Sequence, residues 1–269
     1  MLTLAMDAAT RRGRFAVAED GRLLLDHPHD MGSNFADALV PVAMAACAAA
    51  ERRLADVRAV AVTQGPGSFT GVRIAVATAK TLAWTLGARL VAVPTTAAMA
   101  AALLEDHPAA QLAVPVLDAR RGELFAAVYG RDGGGWVQEI VPPAPLAPDA
   151  WWDLLRDRLQ DVEAPVYGGD GVPLLLTPGG RLRDELSGRG EPVQRLWSST
   201  HPATARALAV AASRADAGLP GISPFALVPL YLRGSDAEVN RRVDLTPRAP
   251  SDRFVSHRAG DLAVGEEEP

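Results

Sequence analysis

The chain has 269 residues, 48% of them hydrophobic and 22% charged, which excludes wholesale disorder and allows two compact halves but not three. A formal net charge of -5 and a sequence pI of about 5.6 argue against an autonomous nucleic-acid binder, which carries a basic face. The single cysteine, Cys47, rules out an intramolecular disulfide or a cysteine-built metal site and reads as a small core residue. No stretch approaches the ~20 apolar residues of a membrane span, so a cytosolic protein is expected.

Leu2 to Met6 reads as a buried strand. Arg14 to Glu19 and Arg22 to Asp26 read as a pair joined at Asp20-Gly21, a dipeptide suited to a type I′ hairpin. A helix is predicted from about Ser33 to Arg53, capped by Ser33 or Asn34 and kinked at Pro41. Val57 to Thr63 is a β-branched strand, Gln64 to Gly71 a glycine-rich loop and Val72 to Leu86 a helix. Leu90 to Val93 follows as a strand and Thr95 to Glu105 as a helix.

A second cycle starts at Leu112 to Leu117, turns through Asp118 to Glu123 and continues as Leu124 to Tyr129 and Trp136 to Val141. Pro142 to Pro148 reads as an extended connector, Trp151 to Leu159 as a helix, Pro165 to Tyr167 as a short strand and Pro202 to Ala217 as a helix. Pro229 to Arg233 reads as a terminal strand or arm. Strands alternating with helices after an opening meander indicate helices covering a mixed sheet, and the strand pattern occurs twice.

Gln64-Gly-Pro-Gly-Ser-Phe-Thr-Gly-Val-Arg-Ile74 is the most informative segment. A strand running through glycines 65, 67 and 71 into a helix offers backbone N–H groups and a positive helix end to a phosphate. No Lys-Ser or Lys-Thr follows Gly71, so it is not a Walker loop. Equally, Gly65, Gly67 and Gly71 permit tight backbone approach while Ser68 and Thr70 cap the helix. Asp7 and Thr10 could meet a metal-bound phosphate at the end of the first strand, or Asp7 could simply stabilise its own turn. The five histidines form no metal-binding pair, and Asp118 to Glu123 fits a tight turn.

Between Asp37 and Glu51 the chain carries no charge, although an exposed helix normally keeps one polar face. On the next helix Val72, Val76, Ala79 and Ala83 form an apolar stripe, with Ala77, Thr81 and Trp84 beside Arg73 and Lys80 on the other side. These faces either meet another protein or are covered by the chain's own second half or tail.

Met6-Asp7-Ala-Ala-Thr10, the Val60 to Ile74 block, Lys80, Asp118-Ala-Arg-Arg-Gly, Gly169-Asp-Gly171 and Pro229-Leu-Tyr-Leu-Arg together resemble the bacterial TsaB family of tRNA threonylcarbamoyladenosine biosynthesis proteins. The resemblance implies an α/β chain of actin-like, Hsp70-like (ASKHA) fold, two ribonuclease-H-like lobes with mixed sheets flanked by helices. The expected division is residues 1–106 plus about 201–217 in one lobe, 107–200 plus about 222–247 in the other, and a flexible polar tail at 248–269.

It further implies a non-catalytic dimerisation subunit that binds and activates a TsaD-like threonylcarbamoyltransferase. A TsaE-like ATPase would join them, tRNA would be met only through the complex, and a homodimer would be the state of the chain alone. In the catalytic relative a His-x-x-x-His holds a metal where this chain has Thr95 and Met99, which cannot replace two imidazoles. No cofactor of its own is therefore expected, with ATP or ADP bound, if at all, in the complex. Partner contacts are expected from Phe35, Leu39, Val42, Ala45, Ala46 and Ala49 on the first helix, and from Arg73, Val76, Ala79, Lys80 and Ala83 on the second. Asp7, Thr10, Gly65, Gly67, Ser68, Thr70 and Gly71 would form a vestigial phosphate loop. Phe35 stands where the family commonly has His. The competing expectation is a small-molecule kinase or phosphotransferase of the same superfold, working through Asp7 and Thr10.

Overall fold

A computed structural model describes residues 1–10, 12–30, 35–131, 133, 136–159, 165–176, 197–198, 204–214 and 218–233. All lie in one compact unit, Met1–Arg233. The expected capping residues Ser33 and Asn34 and the expected tail fall outside the described residues.

Strands β1 (Leu2–Asp7), β2 (Arg12–Glu19) and β3 (Arg22–Asp30) form the predicted meander. Glu19 faces Arg22 across the turn, and Asp20 and Gly21 both have positive φ, 49° and 81°, as a type I′ turn requires. Parallel strands β4 (Ala59–Thr63) and β5 (Arg89–Val93) complete a sheet of order β3-β2-β1-β4-β5. Helix α1 (Phe35–Ala49) continues through Pro41, and α2 (Phe69–Leu86) and α3 (Thr95–Asp106) follow β4 and β5.

Strand alternation sorts the two faces of this sheet by side-chain size. Leu4, Met6, Phe15, Val17, Val60 and Val62 pack under α1 and α2. Ala5, Ala16, Ala18 and Ala61 line the opposite face and receive α6 (Thr204–Ser213) on its own Ala205, Leu208 and Ala209. Small residues on both sides let that helix lie close to the strands. Its ends are pinned: Thr204 Oγ1 donates to Asp7 Oδ2 at one, and Ser213 Oγ accepts from the Gly21 N–H at 2.8 Å at the other.

The second sheet repeats the plan. Strands β6 (Leu112–Arg120), β7 (Glu123–Arg131) and β8 (Val137–Leu146) form a meander, and β9 (Val166–Gly168) and β10 (Trp197–Ser198) add in parallel, giving the order β10-β9-β6-β7-β8. Helix α4 (Pro148–Leu159) buries Trp151, Trp152 and Leu155 against it, beside the short α5 (Val172–Leu175). Helix α3 serves both sheets, through Ala98 to the first and through Leu103 and Leu104 to the second.

Two expectations are corrected. Pro142 to Leu146 belongs to β8 rather than to a connector, because an edge strand leaves one row of backbone groups unpaired and tolerates proline. Residues 222–230, expected with the second lobe, lie along the first sheet instead. The Ile222 N–H donates to the Leu90 carbonyl at 2.8 Å, the Leu230 N–H donates to the Gln64 carbonyl at 2.6 Å, and Leu227 is buried under α2. The anchors are β5 and the α2 core, elements distant in sequence.

Candidate functional site

The glycine loop is built against its own chain. A Cβ added at Gly67 would lie 2.5 Å from the Ala9 carbonyl oxygen, one at Gly71 2.1 Å from that of Ala8, and one at Gly65 2.5 Å from that of Leu230. Only glycine fits these approaches, and Gly67 also holds φ at +152°. The Ser68 N–H donates to the Ala9 carbonyl at 2.6 Å, Ser68 Oγ accepts from the Gly71 N–H at 3.3 Å, and Gly65 accepts from the Thr95 N–H at 2.7 Å. Thr70 is exposed in the first turn of α2, and Thr10 is buried beyond β1.

Asp7 is buried and its carboxylate is engaged on both oxygens. Oδ1 accepts from the Ala9 N–H at 3.0 Å and from Thr63 Oγ1 at 2.6 Å, and Oδ2 accepts from Thr204 Oγ1. The group that could have met a phosphate therefore ties β1, β4 and α6 together. Sequence reasoning named Asp7 but had no sign of Thr63 or Thr204 as its partners.

At the start of α3, Thr95 and Met99 are both buried. Met99 packs with Leu117, Ala119 and Phe125, and its ε-methyl lies 2.6 Å from where a Cβ on Gly169 would stand. Thioether and hydrocarbon fill this spot. Among the described residues no three His, Cys, Asp or Glu side chains come together to hold an ion. A cavity of about 380 Å³ that sequence reasoning missed opens between α3, α6 and the start of β8, lined by Leu104, Trp136, Val210 and Arg214 among others. Arg131 on its rim donates to the carbonyls of Leu104 and Pro108, closing the end of α3.

The helix faces divide the expected contact residues. Leu39 and Ala46 of α1 and Val76, Ala79 and Ala83 of α2 are buried in the chain's own core, so their assignment as contact residues is corrected. Apolar character alone does not separate a stripe facing the sheet from one facing a partner; the direction is set by packing. Val42 is half-buried against that core, whereas Ala45, Ala49 and Arg73 are exposed. Lys80 Nζ donates to the Leu227 carbonyl at 3.0 Å. Phe35 lies in the first turn of α1, and its side chain is outside what the structure describes. The outward face instead shows Val40, Met44 at 55% exposure and Trp84 at 66%. Cys47 lies on the buried face of α1, and burial pushes its thiol up to about 11.

Two sheets of one strand order, each a meander extended by parallel strands, place the chain in the actin-like class built from ribonuclease-H-like units. The structure of YeaZ from Pseudomonas aeruginosa is similar, with a TM-score of 0.61 at 25% identity over 86% of this chain and 99% of that one. A second structure, an uncharacterized protein with similarity to peptidase YEAZ from Pseudomonas aeruginosa, gives a TM-score of 0.65 with the same identity and coverage. A family model described as TsaD, tRNA N6-adenosine threonylcarbamoyltransferase, matches residues 27–154.

The chain is 32% identical to the tRNA threonylcarbamoyladenosine biosynthesis protein TsaB of Escherichia coli, over 60% of this chain and 68% of that one. It is 27% identical to TsaB of Bacillus subtilis, over 59% of this chain and 67% of that one. The chain belongs to the TsaB family of tRNA threonylcarbamoyladenosine biosynthesis proteins.

Proposed function

We propose that this chain is a non-catalytic dimerisation subunit of the complex that forms N6-threonylcarbamoyladenosine in tRNA, and that it binds and activates a TsaD-like threonylcarbamoyltransferase. The observation that carries the reading is the outer face of α1 and α2, where Val40, Met44, Ala45 and Trp84 are exposed and α1 carries no charge from Ala38 to Ala49. An apolar surface of that kind is costly in water and is characteristic of a protein interface. The buried Thr95 and Met99 support a non-catalytic role, since neither can hold an ion as imidazole does. The net charge of -5 supports contact with tRNA only through the complex. A TsaE-like ATPase is the further partner, a homodimer the state of the chain alone, and any adenine nucleotide binds in the assembled complex.

Met44→Asp and Ala45→Glu test the surface. Each places a carboxylate on an exposed position, so the fold and melting temperature should be kept while affinity for a TsaD-like subunit falls at least about 100-fold, by calorimetric titration. Wild-type affinity in both variants overturns the assignment. Threonylcarbamoylation of tRNA by the purified chain alone overturns the non-catalytic role.

A further inference from the structure

Beyond α2 runs a third element of the same outer layer. The segment Ser223–Tyr231 is anchored inward by Leu227, in the core with Leu82 and Leu90, by the bond that Lys80 Nζ donates to the Leu227 carbonyl and by the one that the Leu230 N–H donates to the Gln64 carbonyl. It lies on the β5 side of α2, whereas α1 packs over β2 and β3. Its outward side chains pair with those of α2. The Phe225 ring stands edge-on to Trp84 with centroids 5.0 Å apart, and the Tyr231 ring lies 4.9 Å from that of Phe69. Phe225 is 76% exposed and Val228 67%.

We propose that this arm is the third strip of the docking surface, resting on the reading that α1 and α2 bind the partner, and that the partner brings an apolar helical face with a carboxylate aimed at Arg73. Two features of the layer argue for the arm. The stretch Leu219 to Leu232 contains no charged residue, and its exposed Phe225 and Tyr231 rings meet Trp84 and Phe69 of α2. Exposed aromatic side chains already held in place lose little freedom on binding, which is what makes them strong anchors.

Charge identifies the occupant. On α2 the only charged residues are Arg73 and Lys80, and Lys80 is engaged by Leu227. Arg73 stacks 4.3 Å over the Phe69 ring, donates to Tyr231 Oη at 3.2 Å and is exposed. Neither α1 from Ala38 to Ala49, nor α2, nor the arm to Leu232 carries a carboxylate. A second copy would bring this same face to Arg73, so a different protein with an Asp or Glu at that point fits better.

The test uses the full chain and a TsaD-like subunit of the same organism, titrated by calorimetry, with Met44→Asp as the reference variant. Phe225→Ala combined with Val228→Ala should weaken binding at least about 30-fold without lowering the melting temperature. Arg73→Glu should weaken it at least about 10-fold and flatten its dependence on salt. In the unaltered proteins, residues 223–231 should gain hydrogen-exchange protection in the complex. If the double variant binds like wild type and 223–231 gain no protection while Met44→Asp fails to bind, the arm is dispensable and the α1 and α2 reading stands. If all three variants bind like wild type, both readings fall. Loss of self-association alone by the double variant would make a second copy the occupant and overturn the proposal.

Discussion

A carboxylate at the end of a first strand can reach outward to a ligand or inward to its own chain, and Asp7 reaches inward, to the Ala9 N–H and two threonine hydroxyls. Gly67 and Gly71 follow the same logic, each leaving out a Cβ that would strike a carbonyl oxygen of the Ala8-Ala9 turn. Cys47 shows what burial does to an ionisable group without a partner. Its thiol is raised from 9.0 to about 11 by desolvation. The unfolded chain gives up this proton near pH 9 and the folded chain near 11, so in that window the folded state binds more protons and stability falls as pH rises. The melting temperature should therefore drop between about pH 9 and 11, and Cys47→Ala should lessen the drop. At neutral pH the thiol should resist alkylation until the protein unfolds.

Among elements, α1 and α2 show why an apolar helix does not by itself declare a partner. Both carry apolar residues on more than one face, and only the sheet beneath determines that Ala79 is fully buried while Ala45 is exposed. A charge should therefore act differently at the two sites. Ala79→Glu buries an unpaired carboxylate between α2 and the sheet and should cost about 3–5 kcal/mol, read as a large fall in melting temperature. Ala45→Glu should leave the melt unchanged and affect only association. Strand β8 gives the complementary lesson. Its prolines read as a linker, yet at the edge of a sheet a strand can carry them.

For the whole molecule, long-range ties matter most. Asp7 and Thr204 are 197 residues apart, and their bond fastens α6 to the far face of the first sheet. Thr204→Val removes a donor from a buried carboxylate and should destabilise by about 1–3 kcal/mol. By scanning calorimetry the transition should shift down yet remain single, because α6 packs on residues of the first sheet's own core. The ion pair from Arg233 to Glu123 at 2.8 Å, with the Arg233 bond to the Ala119 carbonyl, carries the arm on to the second sheet.

The linear sequence determined what local chemistry can specify: the Asp20-Gly21 hairpin, the strand, loop and helix junction at Gly65 to Gly71, the doubled strand pattern and the family motifs. Tertiary structure alone decided which side of each apolar helix is covered, that Asp7 is satisfied by Thr63 and Thr204, and that residues 222–230 lie beside α2. The reason is physical: turn propensity and periodicity act over a few residues, whereas burial and hydrogen-bond partnership depend on groups brought together across the whole chain.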